Sequence, residues 1–214
     1  MDSIYLYSYV EDPPSAEVAI KIVGYVNTIL SVNFEFVEGF PLNQHGYGKI
    51  QKRMAAFIRM ARNGQRTFIL VDLDKTECPP ALIREWLGKP TNVSVKLPSK
   101  FLFRIAVRET ESWLMADRKA IADFLKIPLS NLTKQPDHLD DPKQYLLNLI
   151  RRKGRKKWHR EMLPQGPFAI IGPAYNEKMC SFARDHWDPE RAQDNSPSLK
   201  RAIISFGKSV NEAV

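Results

Sequence analysis

The sequence predicts an α/β fold, a mostly parallel sheet flanked by helices, with a helical, basic C-terminal extension. Three observations carry this reading. Strand-like and helix-like segments alternate through about residue 125, the pattern of parallel strands with helices on both faces. Phe68 to Val71 is apolar without interruption, as expected of a strand covered on both sides. Past residue 125 comes "RRKGRKKWHR", Arg151 to Arg160, with seven Lys or Arg in ten residues. The expected division is an α/β domain over 1–125 and a helical part over 126–214 packed on it.

The elements follow in order. "SIYLYSYV", Ser3 to Val10, is rich in Ile, Tyr and Val and predicts the first strand. Glu11-Asp12-Pro13-Pro14 turns the chain, and Val18, Ile22, Tyr25, Val26 and Ile29 recur at helical spacing behind Ser15 or a neighbour as N-cap. "VNFEFVEGF", Val32 to Phe40, alternates as a second strand. "KIQKRMAAFIRMARNG" predicts a helix with Gly64 as its stop. "FILVDLD" is the third strand, "PPALIREWLG" a short helix, and "KFLFRIAVRE", Lys100 to Glu109, a fourth strand leading into the helix "TESWLMADRKAIADFL". "KIPLSNLTKQPDHLDDP" reads as a connector, "KQYLLNLIRRKGRKKWHREML" as a basic helical stretch that Gly154 interrupts, and Pro164 to Ala174 as irregular. The end, 176–213, reads as two helical pieces separated by "DNSPS".

The composition, 43% hydrophobic and 26% charged over 214 residues, is that of a globular chain with a sizeable core. No apolar run approaches the roughly 20 residues of a membrane span. The start lacks the basic and apolar regions of a secretory signal, which places the chain in the cytoplasm. Cys78 and Cys180 form no CxxC or Cys/His pattern, against a structural zinc site. A net charge of +8 favours polyanions.

The acids carry the chemistry. In open α/β sheets ligands bind beyond the carboxyl ends of the strands. Three of the four expected strands end there in acids: Glu11 and Asp12, Asp72 and Asp74, Glu109 and Glu111. In a strand Asp72 and Asp74 share a face, and like charges so close need something positive between them, of which a divalent cation is one form. Such oxygen ligands suit Mg2+ or Mn2+, which activates water and stabilises charge on a phosphodiester. Helix capping by each acid is the plainer alternative.

An acid after the first strand, a helix, and Asp-x-Asp after the third strand resemble the Toprim domain of topoisomerases, primases and overcoming-lysogenization-defect nucleases. "VEDPPSAEVAI", "LVDLDKTECPPALIREWL", "FRIAVRETESWLMADRKAIADFL", "DPKQYLLNLIRR", "GPAYNEKM" and "SPSLKRAI" are similar to an uncharacterised bacterial family of Toprim-like proteins, over most of the chain. The resemblance implies that Glu11 matches the Toprim glutamate, Asp72 and Asp74 the metal pair, and Glu109 and Glu111 the acidic stretch after the fourth strand. Toprim domains usually carry glycine after that glutamate; here Asp12 and two prolines follow, which leaves Glu17 as an additional candidate ligand. The resemblance also implies a separate ATPase partner in phage defence.

Arg151, Arg152, Lys153, Arg155, Lys156, Lys157 and Arg160 are candidates for contact with DNA or RNA, with Trp158 stacking on a base or packing inward. Lys200 and Arg201, after a capping serine in "SPSLKRA", are candidates for phosphate contact or face water. "HGYGKI", His45 to Ile50, is not a P-loop, and His45, His138, His159 and His186 form no catalytic motif. Trp86, Trp113 and Trp187 fit core positions. The resulting expectation is a Mg2+- or Mn2+-dependent nuclease or related phosphotransfer enzyme, with an oligomer left open. A non-catalytic nucleic-acid-binding or adaptor subunit and a receiver-like signalling domain with Asp72 as phosphoacceptor are the alternatives.

Overall fold

The computed structural model describes residues 2–44, 46–90 and 93–211, apart from the side chains of Tyr47 and Asn211. His45, singled out in the sequence, lies outside them. Five strands, all pairing in parallel, form one sheet in the order β2-β1-β4-β5, with the two-residue β3 (Leu42–Asn43) beside the far half of β1. The strands are β1 (Ile4–Val10), β2 (Phe34–Phe36), β4 (Arg66–Asp72) and β5 (Phe101–Ala106). The expected second strand over 32–40 is thus two short pieces, both serving β1.

Every residue of β4 is buried, because helices cover both faces of this central strand. On one face Ile69 and Val71 meet α2 (Tyr47–Arg62) through Ile50, Met54 and Phe57, and α3 (Pro79–Trp86) through Leu82 and Trp86. On the other, Phe68 and Leu70 share a core with α1 (Pro13–Leu30), α4 (Thr110–Ala116) and the C-terminal helices. The chain beyond residue 125 enters this same core: Phe206 of α10 (Pro197–Asn211) sets its ring against Phe68 and Phe34 at 5.1 and 5.6 Å. Trp113 and Trp187 are fully buried, and their indole N–H groups donate to Ser198 Oγ (2.6 Å) and the Trp113 carbonyl (2.9 Å), so neither ring leaves a polar atom stranded.

The structure moves several boundaries. The N-cap of α1 is Asp12, which accepts from Ser15 N–H at 2.9 Å, while Ser15 itself is buried within the helix. The expected single helix over 110–125 is two, α4 and α5 (Arg118–Leu125), because Asp117 leaves helical geometry to cap α5 and to take the Arg191 guanidinium, 2.6 Å at its closest. The basic stretch divides at Gly154 into α6 (Pro142–Lys153) and α7 (Lys157–Met162). The C-terminal helix pair is a trio: α8 (Tyr175–Asp185), the short α9 (Pro189–Ala192) and α10, since Pro189 starts a new helix behind its cap Asp188. No helix among the described residues is long and apolar enough to cross a membrane.

Candidate functional site

The acids gather at the carboxyl ends of β1, β4 and β5, because these three strands are adjacent and parallel. Glu11, just past β1, reaches across to β4, where its Oε1 accepts from Asp72 N–H at 3.0 Å. Asp72 ends β4 and is buried; its Oδ1 accepts from both Thr110 N–H (2.8 Å) and Thr110 Oγ1 (2.9 Å) at the start of α4. The Thr110 hydroxyl is also 3.0 Å from Ser15 Oγ on α1. Asp72 therefore caps the helix that follows the neighbouring strand while remaining part of the acidic cluster.

Asp74 lies beyond the strand, not on its face. Its backbone is left-handed, with φ 49°, so the alternation that would align it with Asp72 has ended. The turn is pinned by bonds from Leu73 and Asp74 N–H to the Arg108 carbonyl, both 2.9 Å, and by Arg108 Nη1 donating to the Thr76 carbonyl. This brings Asp74 to the rim of a cleft of about 320 Å³, lined also by Glu11, Asp12, Asp72, Gly46, Asn176 and Lys143. A larger cleft of about 550 Å³ adjoins it through Asp72 and Asp74 and adds Glu109, Glu85, Trp86, Asp140 and Asp141.

Lys143, on the wall of the smaller cleft, is the charged residue that the sequence reading did not single out. Its Nζ lies 3.5 Å from Glu111 Oε1 and 3.7 Å from Glu109 Oε1, and its backbone N–H donates to Glu109 Oε2 at 2.7 Å. The signal was present: a lysine in the first turn of a helix sits at the wrong end of the macrodipole, and acids elsewhere must compensate. Glu111 is buried behind it, accepts from Tyr175 Oη at 3.0 Å, leaves Oε2 without a partner and lines neither cleft. Tyr175 was likewise not singled out. Glu17 pairs with Arg184 at 2.8 Å and lines neither cleft.

The electrostatics express an excess of negative charge. Burial, then the neighbouring Asp74 and Asp12, push the Glu11 carboxyl up to about 8, although the Asp72 N–H opposes this. Burial, then Glu11, Asp12 and Glu111, raise Asp72 well above the carboxylate range. Burial raises Glu111 to about 7 against the pull of Lys143, and raises Asp74 and Glu109 as well. For Lys143 burial alone would lower the ammonium pKa, but Glu111, Glu109, Asp72 and Asp12 together raise it. One ammonium thus stands among more carboxylates than it can neutralise.

Among the described residues no three His, Cys, Asp or Glu side chains are already arranged to hold a metal ion. The donor set nevertheless fits magnesium or manganese in kind. Glu11, Asp72 and Asp74 offer only carboxylate oxygens to one open cleft, and a divalent cation there would stabilise the ionised carboxylates that burial first, and neighbouring acids second, disfavour.

The seven cations of the basic segment are all exposed, on the end of α6, the Gly154 link and α7. Trp158 turns inward against Phe124 (ring centroids 5.6 Å), so it packs within the protein and is not a free stacking platform. Lys200 and Arg201 are exposed on α10, whose first turn Ser196 caps by accepting from Leu199 N–H at 3.2 Å. His138 and His186 are exposed and His159 is buried; none lines either acidic cleft.

Fold and site together define an α/β protein with an acidic cleft at the carboxyl edge of a parallel sheet. Comparison with protein-family models, with curated proteins and with solved structures finds no match for the chain.

Proposed function

We propose that this chain is a metal-dependent nuclease, or a related phosphotransfer enzyme acting on nucleic acid, with a Toprim-like catalytic domain. The observation that carries the reading is that Glu11, distant in sequence from Asp72 and Asp74, lines one cleft with them at the strand ends. In this reading Asp72 and Asp74 hold Mg2+ or Mn2+, and Glu11 binds metal or serves as general base. A carboxyl raised to about 8 is suited to exchange a proton near neutral pH. Glu109, which lines the adjoining cleft with Asp74, is the better placed of the two later glutamates to complete the site, with Glu111 holding Lys143 from behind. The bound metal supplies Lewis acidity and an activated water. Lys143, on the cleft wall, offsets charge on the incoming phosphodiester, and the exposed cations from Arg151 to Arg160 hold the strand. A separate ATPase acting with the chain in phage defence, in the cytoplasm, completes the proposal.

The test is cleavage of single-stranded and duplex DNA and RNA with Mg2+, Mn2+ or EDTA, comparing the natural chain with Asp72→Asn/Asp74→Asn. Metal-dependent cleavage that the double variant loses supports the proposal, and equal cleavage by both proteins overturns it.

The second reading, a non-catalytic nucleic-acid-binding or adaptor subunit, is favoured by Lys143, whose ammonium supplies part of the countercharge that a metal would bring. Calorimetric titration with Mg2+ and Mn2+ separates the two: retained nucleic-acid binding with no metal binding selects the adaptor.

A further inference from the structure

We infer that the cleft between the free edge of β5 and helix α10 is a binding site for a phosphate group, separate from the acidic cluster. β5 ends the sheet, so among the described residues its outer side has no partner strand. In its middle stands Arg104, opposite Leu70 of β4, in a strand otherwise made of Phe, Leu, Ile and Ala. Strand alternation aims it at the face on which α10 packs, since its neighbours Phe103 and Ile105 belong to the opposite core.

The cleft measures about 550 Å³, and Arg104, Arg201 and Lys208 supply its charge. No acid among the described residues lines it. Arg104 and Arg201 also line a smaller cavity of about 170 Å³ that continues it toward Ser198 and α3. The Nε of Arg104 is buried and makes no hydrogen bond, and burial lowers the guanidinium pKa to about 10. A buried arginine, Arg66, donates from Nη1 to the carbonyl of Ser209 on the cleft wall at 2.7 Å, adding positive charge beneath it.

A charge on an edge strand is a known guard against edge-to-edge pairing. That role is met by a guanidinium in water and does not account for a buried, unpartnered Nε, which is costly to leave unpaired. A guanidinium presents a planar fork of donors suited to oxyanions. Three cations with no carboxylate among the described residues beside them match the charge of a phosphate dianion better than that of a single carboxylate. Leu97, Phe101 and Ile204 beside them leave room for an apolar or aromatic body attached to the phosphate. The sequence had marked Arg201 for phosphate contact, whereas Arg104 and Lys208 join it only through the fold.

The experiment is thermal unfolding and calorimetric titration with inorganic phosphate and with AMP, in EDTA so that metal at the acidic cleft plays no part. Saturable binding that stabilises the protein is expected, and it persists in Asp72→Asn/Asp74→Asn, so failure of the nuclease proposal leaves it standing. Arg104→Gln and Arg201→Gln each weaken binding by about tenfold or more, the loss of one charged hydrogen bond. AMP binding more tightly than phosphate identifies a nucleotide as the source of the group; equal binding identifies free phosphate. Absence of saturable binding by either probe, or binding untouched by both substitutions, overturns the inference. Arg201 is exposed, so its variant carries the test if Arg104→Gln does not fold.

Discussion

The ammonium of Lys143 stands 3.5 Å from the buried carboxylate of Glu111, joining the first turn of α6 to the first turn of α4. Glu111 is 2% exposed and holds a second bond from Tyr175, so the pair links the sheet edge to the C-terminal helices. Removing the cation leaves a carboxylate in a place that water does not reach.

Lys143→Met is therefore expected to destabilise the protein by roughly 3 kcal/mol at pH 8, the usual consequence of breaking a buried pair. The loss shrinks toward pH 5, where Glu111 takes up a proton instead. Urea unfolding of both proteins at the two pH values checks this, and an equal loss at both would refute it.

The acidic cluster sets the sign of the pH dependence. Glu11 and Glu111 have folded values near 8 and 7, above the ordinary carboxyl value of 4.5. The folded chain therefore binds more protons than the unfolded chain between pH 4.5 and 8, and the stability these groups contribute is present below pH 4.5 and lost as pH rises through 7 to 8. In metal-free buffer the melting temperature should fall across that window, by up to about 1.4 kcal/mol of stability per pH unit for each group still protonated. Glu11→Gln should flatten the slope, and added Mg2+ should offset the fall at pH 8 more than at pH 5. A slope unchanged in Glu11→Gln would remove Glu11 as its source.

Asp72 separates charge from hydrogen bonding. Asn retains an oxygen to accept from Thr110 N–H and Oγ1 and ends the repulsion with Glu11, so Asp72→Asn should keep stability within about 1 kcal/mol or raise it. Asp72→Leu strands the Thr110 N–H, while the Thr110 hydroxyl keeps Ser15 Oγ as a partner, and should cost about 1–3 kcal/mol. Denaturant midpoints of the two variants measured side by side decide this.

Gly154 is required by space. A Cβ there would meet the Ile150 carbonyl oxygen at 2.6 Å and the His159 ring at 2.7 Å. Gly154→Ala should destabilise the joint between α6 and α7 by about 1–3 kcal/mol, visible as a lower melting temperature.

The exposed cations can be counted by salt. If they hold a duplex, Arg151→Gln/Lys153→Gln/Arg155→Gln should make the slope of log affinity against log salt shallower by about 0.9 for each phosphate that the variant no longer neutralises. An unchanged slope would show that these residues only face water.

Much of the architecture could be read from periodicity, because it is local. The apolar run Phe68 to Val71 announced a strand covered on both faces, and the order of strands and helices announced a parallel sheet. The breaks were harder. Asp117 leaves the helix where Arg191, far along the chain, offers it a bidentate partner, Nε to Oδ1 and Nη2 to Oδ2, and no local pattern carries that information. Asp72 and Asp74 looked like strand neighbours, but left-handed geometry at Asp74, held by bonds to Arg108, placed them differently.

In the sequence, side-chain chemistry and periodicity by themselves mark which residues bear charge and that acids follow three of the strands, though not where each strand stops. Tertiary structure alone decided that the acids share one edge, that Lys143 stands among them, and that Arg104, Arg201 and Lys208 meet across another. Adjacency of strands and the approach of α6 and α10 are set by burial of apolar faces far apart in the chain, and only that packing brings distant charges close enough to change one another's proton affinity.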